Sequence, residues 1–155
     1  MIIETKEHPF DGIDLRQQPH HYRIGQGEYG VFHAEPYKSE LLPLWGFRTP
    51  EVAQASAQAI YEKFLGYRTQ KDFVGMDIAR KYLQMGYTRA RRYAKYPDGR
   101  KYDEQGRTRP VVMLDRDKEE AAVIFHRMWQ QVKNDDTYQR LKAAFQAKAV
   151  GEGNK

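Results

Sequence analysis

The longest helical pattern in the chain runs from Asp72 to Tyr96 and contains no proline. At about 100° per residue, Asp77, Lys81, Gln84 and Thr88 fall on one narrow polar strip. Met76, Ala79 and Leu83 lie on one flank of it, and Val74, Ile78, Tyr82 and Met85 on the other. A helix that is apolar on two flanks is normally buried between other elements. Its last turns change character, because Arg89, Arg91, Arg92 and Lys95 appear there, interleaved with Tyr87, Tyr93 and Tyr96. A core helix therefore runs out into a basic, tyrosine-rich end.

Other stretches carry their own signals. Thr49-Pro50-Glu51 is a helix start, with threonine as cap, proline at the first helical position and an acid in the first turn. Val52, Ser56, Ile60 and Phe64 follow at intervals of four, and Gly66 is the expected end. Asp117 with Glu120 reads as a capping box, opening a helix whose Ala121, Ile124, Phe125, Met128, Trp129 and Val132 share a face. A final helix carries Tyr138, Leu141, Phe145 and Ala149 inward. Short aromatic and β-branched runs at 22–24, 29–32 and 111–114 read as strands. The expected fold is thus α+β, a helix-dominated single domain of about four main helices with a small β element near the N-terminus. Residues 1–21 form an arm packed on the body, 22–149 the globular domain and 150–155 a flexible tail.

Charge sharpens this picture more than composition does. The net charge is only +5, yet residues 80–109 hold ten Lys/Arg against three acids, an excess of +7. Local asymmetry of this kind points to a polyanionic partner. The chain has no cysteine, which excludes disulfides and thiolate metal sites. Met1 to His8 hold no hydrophobic run of the signal-peptide kind, and no later stretch is long and apolar enough for a membrane span. No membrane partner and a cytoplasmic location are expected.

Candidate catalytic chemistry is thin. Gly25 to Gly30 spell a literal G-x-G-x-x-G, but the strand before it and the helix after it that a dinucleotide fold requires are missing; the run reads as a hairpin turn. His8, His20, His21, His33 and His126 show no paired ligand spacing, so no metal is expected. No cofactor is expected either, and the catalytic residues stay unknown. Three runs, at 35–45 (E-P-Y-K-S-E-L-L-P-L-W), 49–64 (T-P-E-V-A-Q-A-S-A-Q-A-I-Y-E-K-F) and 72–94, together resemble a family of short bacterial, phage and algal proteins catalogued only as a domain of unknown function. That resemblance implies no activity and no site residues.

The basic segment carries the functional expectation, a protein that binds DNA or RNA. Arg91, Arg92, Lys95, Arg100 and Lys101 would neutralise phosphate, and Tyr87, Tyr96 or Tyr102 would stack on bases. Arg89 projects to the Ile78 and Met85 side and is expected to be structural, its guanidinium paired with a buried or half-buried acid. One alternative is an enzyme binding a nucleotide or other phosphorylated small molecule in an arginine-lined pocket. Another is an adaptor recruiting an acidic protein.

Overall fold

A computed structural model describes residues 8–25, 28, 30–111 and 114–153. Among these described residues five α-helices follow in order: α1 (Tyr37–Leu41), α2 (Pro50–Thr69), α3 (Phe73–Lys95), α4 (Arg116–Lys133) and α5 (Asp136–Gly153). Helix α3 packs against each of the other four. Its Met76, Ile78, Ala79, Tyr82, Leu83 and Met85 lie at the centre of the core, with Ile60 and Phe64 from α2 and Phe125 and Val132 from α4.

Local chemistry places the breaks. Thr49 caps α2 by accepting from the Val52 amide at 3.1 Å. The helix does not stop at Gly66 but continues to Thr69, ending where Lys71 takes a left-handed φ of 56°. The Lys71 amide then donates to Arg68 O and the Asp72 amide to Tyr67 O, closing the helix with a Schellman pair. Asp72 at once caps α3 by accepting from Gly75 N at 3.0 Å. Helix α4 is capped by Asp115, which accepts from Lys118 N at 3.1 Å, two residues earlier than the expected Asp117. Asp135 accepts from Tyr138 N at 2.9 Å at the start of α5.

The expected α+β class is overturned. Among the described residues there is no strand, only one isolated bridge between Tyr102 and Thr108. Tyr22 is extended but residues 22–24 form no ladder, and Val31 and Phe32 lie in turns. Gln26, Gly27 and Tyr29 from the proposed hairpin, and Val112 and Met113 from the proposed late strand, lie outside the described residues. The physical reason is visible at Tyr22 and Val31, both buried: the apolar side chains that mimic a strand pattern are anchors pressing an irregular arm onto α3. Phe10 and Leu15 bury in the same way.

The polar strip of α3 also differs from a solvent face. Asp77 and Lys81 are both 0% exposed. Asp77 accepts from Tyr22 Oη, from Tyr138 Oη at 2.6 Å and from Arg80 Nε at 2.9 Å. Lys81 Nζ donates to the Ile24 carbonyl and lies 5.4 Å from the Tyr22 ring centre. The strip is therefore the place where the N-terminal arm and α5 are bolted to the central helix. Burial pushes the Lys81 ammonium down to about 8, with Asp77 opposing and Arg80 reinforcing that shift. The same burial, together with Asp77, raises the Tyr22 and Tyr138 hydroxyls above their ordinary range.

Candidate functional site

The basic end of α3 emerges from the core after Ala90, whose side chain is still fully buried. Arg91, Arg92 and Lys95 occupy its last turns, where cations suit the helix macrodipole. A turn at Pro97 to Gly99 follows, with Gly99 at a φ of 74° that glycine adopts without strain. The chain then folds on itself, Arg109 N donating to Lys101 O and Asp103 N to Arg107 O, both at 2.8 Å. The Asp103 carboxylate accepts from Gln105 N and Arg107 N, which closes the tip. This loop returns Lys101 to the side of α3.

Tyr87, Arg91, Arg92, Lys95, Tyr96 and Lys101 line one open groove of about 370 Å³. Six of the eight side chains expected at a phosphate-binding site therefore meet in one place. Arg100 and Tyr102 do not line it; they stand on the adjoining loop, Tyr102 with 56% of its surface exposed. The Lys101 ammonium lies 5.6 Å from the Tyr102 ring centre. Arg91 donates to Tyr87 Oη at 2.5 Å. Tyr96 is only 7% exposed, so its ring forms part of the groove wall and offers little face for stacking. Among the described residues, Arg91, Arg92, Lys95, Arg100 and Lys101 take part in no ion pair. The nearby acid Asp98 is instead held by Arg109 at 2.7 Å, and that guanidinium keeps its carboxyl below the ordinary range.

Two members of the +7 segment belong elsewhere, since Arg80 and Lys81 are consumed in the Asp77 cluster. Arg89 has a third environment. It is exposed, and its guanidinium lies 5.4 Å from the Phe32 ring centre and 5.6 Å from that of Trp45. Aromatic faces stand where a buried acid was expected. Trp45 and Phe47 themselves are half-buried, edge to face at 5.3 Å.

The sequence reading missed a neighbouring groove of about 410 Å³ between α3 and α4. It shares Tyr87, Arg91 and Lys95 with the first and adds Arg127, His126 and Val123 from α4. Val123 falls off the apolar stripe of α4, and this was the one available signal. Elsewhere, His8 stacks on His33 with ring centres 4.3 Å apart, and His33 Nδ1 lies 3.0 Å from Asp11 Oδ1. Among the described residues no group of three or more His, Asp or Glu side chains is placed to hold a metal ion. No helix among them is long and apolar enough to cross a membrane.

No curated protein and no solved structure matches the chain. The family described as Domain of unknown function (DUF4385) matches residues 5–148, and the chain belongs to it.

Proposed function

We propose that this member of the family is a nucleic-acid-binding protein of the cytoplasm, which holds the phosphates of DNA or RNA on the C-terminal end of α3 and the loop that follows. The observation that carries this reading is the set of cations around the first groove. Arg91, Arg92, Lys95 and Lys101 converge there without a carboxylate partner among the described residues. Cations left unpaired at a shared concave surface are poised to displace counterions from a phosphate backbone. Arg100 extends the stripe along the loop, and Tyr102 supplies an exposed aromatic face beside it.

The test is a binding titration with labelled DNA and RNA across a salt series. Affinity should fall steeply as salt rises, with a log–log slope of about −3 for four phosphate contacts on a single strand. Absence of binding even at low salt would remove the proposal.

A second reading, a pocket for a nucleotide or other phosphorylated small molecule, draws on the α3–α4 groove, where Arg91, Arg127 and His126 converge. Tight, salt-insensitive binding of a free nucleotide in the same titration would favour it over the first.

A further inference from the structure

The α3–α4 groove differs from its basic neighbour in what lines it. Ala94 and Ala122, both buried, form its inner side. Higher on the same interface the two helices are in tight contact, since a Cβ added at Gly86 would lie 2.5 Å from the Phe125 ring. At Ala94 and Ala122 the side chains are too short to fill the space between the helices. Leu114 and Val123 line the hollow while remaining 47% and 43% exposed, an arrangement that leaves apolar surface open to water. Tyr87 and His126 close ranks at one end, ring centres 4.9 Å apart. Its volume of about 410 Å³ is that of a small-molecule cleft.

We infer that this groove receives an unpaired nucleobase of a bound strand, an assignment that rests on the nucleic-acid reading above. A nucleobase is a flat, largely apolar ring with polar edges, tethered to an anionic backbone. The groove offers apolar walls and the Tyr87 ring for the first feature, and the carboxylate of Glu119 to accept from an N–H on the edge of a base, the imide N–H of thymine included. Arg91 and Lys95, shared with the phosphate groove, serve the backbone on either side of the inserted base. A duplex keeps its bases stacked inside and cannot present one to the groove without unpairing it. The nucleic acid bound there is therefore a single strand, or a loop or end.

The experiment measures fluorescence anisotropy of the full chain with three labelled probes: a thymidine strand, an abasic strand of the same length and a duplex. The wild-type protein should bind the thymidine strand about tenfold more tightly than the abasic one, the scale of a single base stack. Val123→Trp fills the groove from a partly exposed position, and Leu114→Trp does so independently should the first variant misfold. Either, combined with Tyr102→Ala to remove stacking on the loop, should bring the ratio of the two affinities close to one while leaving abasic binding and its salt dependence unchanged. Equal wild-type affinity for both strands, or a ratio that survives both substitutions, overturns the groove assignment and leaves the phosphate reading standing. No binding to any probe overturns both. A free nucleoside monophosphate that binds as tightly as the strand would reassign the groove to a mononucleotide. A glutamate–tyrosine copolymer that binds wild type but not Val123→Trp, with the strand ratio unaffected, would reassign it to an acidic peptide.

Discussion

Removing the Asp77 carboxylate tests the architecture that presents the site. Asp77 is 0% exposed and takes bonds from the arm through Tyr22, from α5 through Tyr138 and from Arg80 on its own helix. In Asp77→Ala the Arg80 guanidinium, whose side chain is only 11% exposed, loses its partner at 2.9 Å. Breaking a buried pair from one side costs ~3–5 kcal/mol, because the remaining charge stays desolvated. The two hydroxyls add a smaller and non-additive amount. Against a domain stability of about 5–15 kcal/mol this is a large fraction. In a chain of this size it corresponds to a melting temperature lower by roughly 6–20 °C. Urea unfolding followed by circular dichroism gives the free energy directly. Tyr138→Phe alone should cost roughly 1–3 kcal/mol, the scale of a bond to a charged group, and almost nothing further in the Asp77→Ala background. If Asp77→Ala unfolds within about 1 kcal/mol of wild type, the cluster does not hold arm and α5 to α3, and the reasoning fails.

Three further outcomes follow from other parts of the fold. Arg89→Ala should cost only about 0.5–1 kcal/mol in the same assay, the range of an exposed cation–π contact over Phe32 and Trp45; a loss beyond about 2 kcal/mol would require a buried acid partner after all. Gly86→Ala should destabilise by ~1–3 kcal/mol, since the new methyl meets the Phe125 ring at 2.5 Å; an unchanged melting curve would place α3 and α4 further apart. Alkaline pH should act in two opposed steps. With the Lys81 ammonium lowered from 10.5 to about 8, the unfolded chain binds more protons than the folded one between those values, so stability rises with pH there. The buried hydroxyls of Tyr22, Tyr37, Tyr67, Tyr82 and Tyr138 are all raised from 10.0, so above that pH the unfolded chain loses protons first and stability falls. Denaturation from about pH 7 to about pH 11 should trace a rise and then a decline, and Lys81→Met should abolish only the rise.

The parts of the fold legible in the sequence were those set by local periodicity. The stripe of α4 and the two apolar flanks of α3 appear in the core as their spacing implies. Periodicity says which side chains share a face, but not what covers it. Spacing showed Asp77 and Lys81 only as part of a polar strip, and not that the strip is buried, because Tyr22 and Tyr138, which satisfy Asp77, lie 55 and 61 positions away along the chain. The strand reading failed for a related reason. An aromatic residue flanked by polar ones has the same pattern in a strand as in a coil whose ring plugs a core. The basic groove was largely legible, being built from one helix end and the loop that follows it. Its apolar neighbour was not, because Arg127 and Val123 reach it only through the packing of α4 on α3.

The central claim is that Arg91 and Lys95 meet nucleic-acid phosphate, and the change in salt slope on neutralising them tests it most directly. Both side chains line the groove without an ion-pair partner among the described residues. Arg91→Gln with Lys95→Gln should leave the melting temperature unaltered. It should weaken single-strand binding and make the log–log salt slope shallower by about 1.4, one increment for each lost contact. A double variant that binds with the wild-type affinity and the wild-type slope would contradict the account.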